Sequence, residues 1–345
     1  MNPDRTTGWI WHDGSSDRKG WVLMRNIWSE GIFGVVTGDA LGCPVQFESR
    51  EEVAEHPVTG MRGYGTFDLP AGSWTDDSSL TLAQLDSICE TGGLDLKKIM
   101  DNFTAWLDEG KYTPYGDAYD IGFGTIQAII SYKRQGDPSL CGGRDEANNG
   151  NGSLMRIMPT CLYCCAAGTE EEEAVHLVEA VGSLTHAHIR ANIACVLYWF
   201  MVREVLNGTG SLAERMQAGL DCGFAYYENN LQNTEELNFY SRLRDLREFA
   251  HVPAEEIRSS GYVVDTLEAV VWSLITTGSF KEALLKAVNL GRDTDTVGAI
   301  TGGLAALFYG YEAIPSDWIA ELKRKDWIEE LCEKADEVCR KARQA

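Results

Sequence analysis

Basic residues are scarce in this sequence of 345 residues. Lys and Arg together number 30, against 52 Asp and Glu, and the formal net charge is -22. Such a surplus of negative charge repels the phosphate backbone of nucleic acids and the surface of anionic membranes. We therefore expect no direct nucleic-acid binding and no membrane binding. An anionic ligand would need local help from backbone amides or bound cations.

Long hydrophobic runs are also missing. The opening stretch MNPDRTTGWIWHDGSSDRKGW has acids, glycine and serine where a signal peptide has an apolar run. No window elsewhere approaches the roughly 20 apolar residues of a membrane-spanning helix. The ten cysteines are scattered through apolar segments, which is typical of reduced thiols. These features together predict a soluble, cytoplasmic protein.

Several common motifs are absent as well. No second Cys pair or His pair lies at zinc-binding spacing from CLYCC at 161–165, so this segment fits a buried helix better than a metal site. The six histidines form no Ser-His-Asp or Cys-His pattern with a supporting signature, which argues against acyl transfer. Alternating runs of Val, Ile and Thr bounded by hairpin dipeptides are missing too, which argues against a β-sheet protein.

Helical periodicity dominates what is present. In SFKEALLKAVNLG the apolar residues share one face, Ser279 can cap the start and Gly291 can end it, and the pattern resumes after an acidic run until Gly310. Similar stripes predict helices at about 77–90, 94–109, 121–134, 153–167, 170–182, 187–206, 211–220, 234–249, 261–277 and 327–343. We predict an all-α fold. No repeat or proline-rich linker divides the chain, so one helical domain is expected at 26–345, after an N-terminal extension at 1–25.

Two acidic clusters stand at the starts of predicted helices, more than 200 residues apart. The first lies in GSWTDDSSLTL and the second in GRDTDTVGAITGG. Their members are Thr75, Asp76, Asp77, Asp293, Thr294, Asp295 and Thr296. One Asp or Thr is enough to cap a helix, so the surplus requires a further explanation.

The two clusters admit two interpretations. If they converge, four carboxylates held close together cannot all stay ionised without a cation. Magnesium and manganese prefer oxygen ligands, and a pair of such ions could orient a substrate and activate water. If the clusters stay apart, they are two independent, solvated helix caps. The spacing alone leaves both interpretations open.

A glycine-rich loop and one histidine are further candidates. The loop precedes an apolar pattern and consists of Asn148, Asn149, Gly150, Asn151, Gly152 and Ser153. Gly and Asn tolerate left-handed backbone, so successive amides can surround an anion at the start of a helix; a flexible surface loop is the alternative. The Gly-Lys-Ser/Thr ending of a Walker loop is missing. His186, between two predicted helices, could face a cleft, although a lone His is more often structural.

Seven segments in order, spanning about residues 30–310, resemble the ADP-ribosylglycohydrolase family. They are GVVTGDALGCPVQF, GSWTDDSSLTL, YDIGFGT, NGNGSLMRIMP, SLTHAHIRA, GYVVDTLEAVVWSL and AVNLGRDTDTVGAITGGLAALFYG. This family includes the dinitrogenase reductase-activating glycohydrolase and the ADP-ribosylarginine and ADP-ribosylserine hydrolases. The resemblance implies an all-α orthogonal bundle of a single domain with two Mg (or Mn) ions. The implied metal ligands are Thr75, Asp76, Asp77, Asp293, Asp295 and Thr296.

The resemblance also implies an activity. The expected reaction is hydrolysis of the N- or O-glycosidic bond between ADP-ribose and a modified protein side chain or small acceptor. Asp76 or Asp77 would assist proton transfer as oxocarbenium character develops, and Asp120 would contact the substrate near the scissile bond. An ADP-ribose-binding module without turnover and another two-metal nucleotide-diphosphate hydrolase are the alternatives.

Further roles follow from the same resemblance. The loop 148–153 would hold the diphosphate, His186 would contact the ribose-phosphate region, and Tyr262 would stack on adenine, unless it is simply a half-buried helix aromatic. Two departures from the family pattern concern the acceptor side. Gln46 occupies a position where the family often has Glu, with Glu48 nearby, and Phe123 occupies a position where many members have Asn. We expect the irregular segment 42–74 and the segment 111–124 to shape the acceptor pocket.

Overall fold

The computed structural model describes residues 9–10, 22–23, 25–230 and 234–344, and these are mostly helical. The α-helices within these residues are α1 (Ile27–Gly42), α2 (Arg50–Glu55), α3 (Asp76–Thr91), α4 (Leu96–Glu109), α5 (Phe123–Gln135), α6 (Met158–Ala167), α7 (Glu171–Gly182), α8 (Ile189–Asn207), α9 (Leu212–Asn230), α10 (Leu246–Phe249), α11 (Val263–Ile275), α12 (Phe280–Val288), α13 (Thr294–Tyr309), α14 (Ser316–Glu321) and α15 (Lys325–Gln344). The two-residue strands Trp9–Ile10 and Val22–Leu23 pair antiparallel. The all-α prediction is confirmed. Most of the predicted N-terminal extension lies outside the described residues.

The helix α1 packs along α13, and glycines make this contact close. A Cβ atom on Gly38 would lie 2.0 Å from the carbonyl oxygen of Gly298, and one on Gly34 would lie 2.3 Å from that of Gly302. The Oγ1 hydroxyl of Thr294 donates to the carbonyl oxygen of Gly42 at 2.8 Å. Because glycine has no side chain, the two backbones touch directly, and the start of α13 is fixed against the end of α1.

The sequence-based helix prediction is wrong in three places. First, α1, α2 and α14 were not anticipated. In the second place, the helix predicted over 153–167 is instead a 3-10 turn at Leu154–Arg156 followed by α6, because Pro159 can stand only in the first turn of an α-helix. Last, the segment predicted as a helix over 234–249 is mainly a 3-10 helix at Thr234–Arg244, and α9 extends beyond the predicted stripe.

The cysteine-rich segment is part of the core, as predicted. Cys161 and Cys164 are buried in α6 among apolar side chains. Burial raises the pKa of both thiols, and that of Cys164 is raised to about 12. These two groups therefore act as small hydrophobic residues. No helix among the described residues is long and apolar enough to cross a membrane.

Candidate active site

The start of α3 is organised by a carboxylate from another helix. Asp39, on α1, is fully buried and accepts hydrogen bonds from the backbone N–H groups of Thr75 and Ser78, both at 2.9 Å. The hydroxyls of Thr75 and Ser78 donate to the same carboxylate at 3.0 Å and 2.6 Å. Burial raises the pKa of Asp39 to about 6, and the hydrogen bonds from Ser78 and Thr75 oppose this rise. Asp39 therefore caps α3 from outside.

The two acidic clusters meet at this point. The Oγ1 atom of Thr75 lies 3.2 Å from Asp77 Oδ2 and 3.2 Å from Asp295 Oδ2, although 220 residues separate Thr75 from Asp295. The hydroxyl of Thr296 donates to Asp77 Oδ2 at 3.3 Å. Thr75 and Asp293 occupy the N-cap positions of α3 and α13, yet neither side chain caps its own helix. The interpretation of the clusters as two separate caps is therefore wrong.

Burial and crowding make these carboxyl groups difficult to ionise. Burial raises the pKa of Asp76, Asp77 and Asp295 well above the usual range, and the neighbouring carboxylates raise it further. Burial also raises the pKa of Asp293, although a hydrogen bond from Asn151 opposes the shift. The cluster can therefore hold its full negative charge only if positive charge is brought to it.

Two carboxylate oxygens in the cluster are buried without a hydrogen-bond partner. They are Asp77 Oδ1 and Asp295 Oδ1. Buried polar atoms are normally paired, so unpaired carboxylate oxygens in a polar cluster indicate a site for a cation or an ordered water. Over the ranges that the structure describes, no three or more His, Cys, Asp and Glu side chains are already arranged to hold a metal ion. Thr75 and Thr296 supply oxygen atoms in addition to these residue types.

A cleft of about 420 Å³ opens above this cluster. Its lining includes many of the residues singled out from the sequence, namely Asp76, Asp120, Asn148, Gly150, Asn151, Gly152, His186, Asp293 and Thr296. Thr75, Asp77 and Asp295 are buried directly behind this lining. The cleft therefore joins the carboxylate cluster to the glycine-rich loop.

The glycine-rich loop is held in place by the start of α11. The backbone N–H of Asn151 donates to the carbonyl oxygen of Gly261 at 3.0 Å, and that of Val263 donates to Asn149 at 3.0 Å. The side-chain amide of Asn151 donates to Asp293 Oδ2 at 2.6 Å and to Thr266 Oγ1 at 2.9 Å. Asn151 thus connects the loop to the acidic cluster, and the interpretation as a flexible surface loop is wrong.

One glycine of this loop, Gly152, is needed for space. Neither Gly150 nor Gly152 has a positive φ, so the expected left-handed backbone is not found. A Cβ atom on Gly152 would lie 2.6 Å from His186 Cε1, and one on Gly150 would lie 3.4 Å from His186 Nε2. Ser153 is buried behind the loop. The loop and the His186 ring therefore pack directly against each other.

One side of the cleft carries strained and exposed residues. Asp120 and Phe47 both have positive φ, 54° and 70°, in a region that costs non-glycine residues energy. The backbone of Phe47 donates to the carbonyl oxygen of Arg292. Phe123 starts α5 and is 78% exposed at the edge of the cleft. Strain of this kind is often found at functional sites, and the position of the acceptor stays a prediction.

Gln46 has a defined partner in this region. Its side-chain amide donates to Asp120 Oδ2 at 2.8 Å. A glutamate in the same place has no hydrogen to donate and would repel Asp120. Gln46 also lines the cleft, whereas Glu48 is outside the lining and its carbonyl oxygen accepts from the backbone N–H of Arg292. The glutamine that replaces the family's usual glutamate therefore has a specific role here, which is to donate a hydrogen bond to Asp120.

Tyr262 lies at the far end of the loop and is not part of the cleft lining. Its backbone pairs with Gly150, and its hydroxyl accepts from Arg190 Nη1 at 3.1 Å. Arg190 also donates to Glu236 at 2.7 Å and stacks on Phe239, with its guanidinium carbon 3.5 Å from the ring centroid. Stacking of Tyr262 on adenine stays a prediction.

Three contributors to the site were not identified from the sequence in the roles that the structure gives them. They are Asp39 as the cap of α3, Gln46 as the donor to Asp120, and Asn151 as the link to Asp293. A signal for Asp39 exists, since it is a lone acid in the apolar stretch GVVTGDALG. A buried acid in such a stretch requires partners, and these come from a different helix.

The fold and the cleft together define an all-α enzyme with clustered carboxylates beside an amide-lined loop. Residues 29–345 match the family model described as ADP-ribosylglycohydrolase. The chain belongs to the ADP-ribosylglycohydrolase family, and it is an ADP-ribosyl hydrolase that acts on glycosyl bonds of ADP-ribose.

Similar proteins agree with this assignment. An ADP-ribosylarginine hydrolase of Serratia proteamaculans (strain 568) is 30% identical over 88% of this chain and 76% of its own length. The ADP-ribosyl-[dinitrogen reductase] glycohydrolase of Rhodospirillum rubrum is 32% identical over 85% of this chain and 89% of its own. A solved structure described as an ADP-ribosylglycohydrolase-related protein complex is 31% identical, with a TM-score of 0.72, over 91% of this chain and 99% of its own.

Proposed function

We propose that the chain hydrolyses the glycosidic bond between ADP-ribose and a modified protein side chain with the help of two Mg (or Mn) ions. Thr75, Asp76 and Asp77 would hold these ions from one side, and the second cluster would hold them from the other through Asp293, Asp295 and Thr296. The observation that carries the proposal is the meeting of the two clusters beneath one cleft, with Thr75 Oγ1 3.2 Å from Asp295 Oδ2.

The residues present suit hard divalent cations. Magnesium and manganese bind carboxylate and hydroxyl oxygens, and every proposed ligand offers only these. Asp77 Oδ1 and Asp295 Oδ1 are buried and unpaired, so each has an oxygen available. Asp77 Oδ2 now lies within hydrogen-bonding distance of the Thr75 and Thr296 hydroxyls, and it would exchange these contacts for contacts to the ions. Burial also raises the pKa of these carboxyls, and bound cations would offset that rise.

The chain's own groups have separate tasks in this proposal. Bound divalent cations would supply a water of lowered pKa and an attachment point for the ribose hydroxyls. Asp76 lines the cleft, so it would accept the proton as the water oxygen attacks the anomeric carbon and the acceptor leaves. Asp77 is buried behind it and would act as a ligand only. Asp120, fixed by Gln46, would face the acceptor.

The substrate would be held by the other wall of the cleft. The backbone amides of the loop 148–153 would bind the diphosphate, because successive N–H groups can stabilise an anion even in a protein of net charge -22. His186 would contact the ribose-phosphate region from the same wall.

For the acceptor we propose arginine. The relative from Serratia proteamaculans supports this choice, since it is named an ADP-ribosylarginine hydrolase. Asp120 also offers carboxyl oxygens on the acceptor side, and Phe47 and Phe123 add aromatic surface. A guanidinium leaving group is suited to both.

The proposal is tested with purified protein on ADP-ribosylated arginine, ADP-ribosylated serine and O-acetyl-ADP-ribose, with and without a chelator. We expect release of ADP-ribose from the arginine substrate, loss of activity on chelation, and recovery with Mg or Mn. Asp77→Asn and Asp295→Asn should each lower kcat by on the order of 100-fold or more, because metal-assisted hydrolysis depends on correctly held ions. Both variants should also bind Mn more weakly by calorimetry. The exposed Asp317→Ala is the matched control and should behave as wild type.

Two outcomes would contradict the proposal. Full activity of the chelated protein would remove the metal ions from the reaction. Tight binding of ADP-ribose without product from any of the three substrates would instead favour the binding module. Far-UV circular dichroism should show wild-type helix content in both Asn variants.

A further inference from the structure

Arg156 is a fully buried cation. It lies in the 3-10 turn that follows the glycine-rich loop, and its exposure is 0%. Within the described ranges no Asp or Glu forms an ion pair with it, and its Nε and Nη1 atoms are unpaired. Its guanidinium carbon lies 4.8 Å from the centroid of the Phe103 ring. Burying such a group is costly, so its remaining contacts call for a functional explanation.

The hydrogen-bonded end of the Arg156 side chain is connected to His186 by one intervening residue, Thr185. Arg156 Nη2 donates to the hydroxyl of Thr185 at 2.7 Å and to the carbonyl oxygen of Val181 at 3.3 Å. The same hydroxyl lies 2.9 Å from His186 Nδ1. Thr185 is fully buried, so no solvent competes for its hydrogen bonds.

This chain of contacts determines the direction of each hydrogen bond. An arginine side chain has only donors, so Thr185 Oγ1 must accept from Arg156. Among the residues that the structure describes, this hydroxyl contacts no other acceptor, so its single hydrogen points to His186 Nδ1 and that nitrogen accepts it. In a neutral imidazole the proton is therefore on Nε2. Burial lowers the pKa of His186 to about 3, the nearby Arg156 charge adds to this shift, and the ring stays neutral.

The Nε2 edge of the His186 ring faces the cleft, and three glycines lie beside this edge. A Cβ atom on Gly124 would lie 2.7 Å from Nε2, and those on Gly152 and Gly150 would lie 3.2 Å and 3.4 Å from it. His186 lines the cleft together with all three glycines. Any larger residue at these positions would cover this edge.

We propose that Arg156 and Thr185 are positioning residues that fix His186 as a neutral ring with an Nε2–H donor directed at the bound ligand. On the basis of the proposed function, that ligand is ADP-ribose, and the donor meets a phosphate or ribose oxygen. A histidine in this tautomer offers no lone pair to the cleft, so His186 binds substrate and does not act as a general base. The unpaired Arg156 charge, close behind the loop, favours an anion in the same place.

The tautomer is measured directly in ligand-free protein labelled with ¹⁵N. Long-range ¹H–¹⁵N correlation spectra distinguish a protonated from an unprotonated ring nitrogen, and His186→Gln identifies the signal. We expect His186 to have a protonated Nε2 and an unprotonated Nδ1, unchanged between about pH 5.5 and pH 8.

Two substitutions at Thr185 form a matched pair. Thr185→Val keeps the shape but removes the hydroxyl, so the Nε2–H preference should be lost and the Kd for ADP-ribose should rise about tenfold, the loss of one hydrogen bond. KM should rise by a similar factor with kcat changed less than about twofold, because the contact is made in both ground and transition states. Thr185→Ser keeps the hydroxyl and should restore the wild-type tautomer and Kd.

The possible results separate this proposal from the proposed function. A wild-type His186 with its proton on Nδ1 overturns the proposal without any variant. A Thr185→Val protein with the wild-type tautomer also overturns it, and an altered tautomer with unchanged Kd overturns the ligand contact. Failure of the wild type to hydrolyse any substrate would contradict the proposed function alone, because the tautomer and the ADP-ribose titration need no turnover.

Discussion

The Asp39 side chain is buried, does not line the cleft, and accepts hydrogen bonds from four groups. Its partners are the N–H and hydroxyl groups of Thr75 and Ser78. Thr75 in turn contacts Asp77 and Asp295. Two of these partners are backbone N–H groups, which can only donate, so the side-chain oxygens of Asp39 must accept from both. Asp39 thus holds the orientation of a residue that we propose as a metal ligand.

Replacing Asp39 by Asn should therefore affect both stability and activity. The Asn amide would direct hydrogens at groups that are already donors, so at least two hydrogen bonds would be lost inside the core. We expect the free energy of unfolding in urea to fall by about 2 to 4 kcal/mol. We expect kcat to fall by about 10- to 100-fold, the effect typical of groups that orient metal ligands.

Asp95→Asn is the control for this substitution. Asp95 caps α4 at an exposed position by accepting from Lys98, and Asn caps equally well. Its unfolding free energy should change by less than about 0.5 kcal/mol. An Asp39→Asn protein as stable and active as this control would show that the capping of α3 is unimportant.

At the residue level the sequence predicted much of the site but not how its parts are joined. The acidic clusters and the glycine-rich loop can be recognised from the sequence alone. Each is a local excess of one kind of residue, namely helix-capping residues in the clusters and Gly and Asn in the loop. The linking roles of Gln46 and Asn151 could not be predicted from the sequence. A single amide side chain forms no periodic pattern, and its role depends on which residue it contacts in the folded protein. Those partners, Asp120 and Asp293, are 74 and 142 residues away.

At the scale of the helices, the α1 and α13 pair brings Asp39 and Asp295 to one place. Both helices are buried on most sides, so neither presents the polar face of an ordinary surface helix. The close approach depends on Gly34, Gly38, Gly298 and Gly302, whose missing side chains let the backbones touch. A wider separation would move the start of α13 away from Thr75.

Substitution of Gly38 by Ala should test this dependence. The new Cβ would lie 2.0 Å from the carbonyl oxygen of Gly298, and backbone on both sides leaves it no room. We expect a loss of about 3 kcal/mol or more in the free energy of unfolding, since overpacking against backbone cannot relax cheaply. Soluble Gly38→Ala protein should also have little activity, measured as ADP-ribose release.

Gly31→Ala in the same helix is the matched control. There the nearest atoms are the flexible ends of Leu162 and Met158, at 3.0 Å and 3.3 Å. Alanine also favours helix, so the net change should stay within about 1 kcal/mol. Equal destabilisation by the two substitutions would mean that helix α1 tolerates no added methyl group anywhere, and the special role of Gly38 would be lost.

Helix prediction failed where burial removed the periodic signal. A helix surrounded by the core has apolar residues on all faces, and α1 was missed for this reason. The opposite error occurred over 234–249. There the apolar residues have α-helical spacing, but the segment forms mostly a 3-10 helix. There Glu236 pairs with Arg190 and Tyr240 donates to the Arg190 carbonyl, so long-range contacts decide the local conformation.

At the scale of the whole molecule, several buried acids make stability depend on pH. Glu268 on α11 is one that lies outside the cleft. Burial raises its pKa to about 7, and the Arg242 guanidinium at 2.7 Å opposes this rise only in part. The folded protein therefore holds a proton at this residue between about pH 4.5, the usual value for glutamate, and pH 7, whereas the unfolded chain does not. This group makes the fold less stable as pH rises through that window.

Glu268→Gln should remove this dependence. Near pH 5 the variant and the wild type both have a neutral side chain here and should unfold at similar urea concentrations. Near pH 8 the variant should be more stable by about 1 to 3 kcal/mol, because it avoids burying a charge. The exposed Glu333→Gln should show a difference that does not change with pH. A Glu268→Gln protein whose advantage is the same at both pH values would contradict the assignment.

The packing of α1 against α13 also bears on how the protein is made. Thr294 donates a hydrogen bond to Gly42 across 252 residues. Helix α1 can therefore bury its apolar surface only after α13 is available to pack against it. During translation α1 emerges early and remains without its partner until α13 leaves the ribosome. Contacts so distant in sequence form slowly, and the intervening chain must stay unaggregated meanwhile. A nascent chain therefore has no hydrolase activity until α13 has been synthesised and has packed against α1.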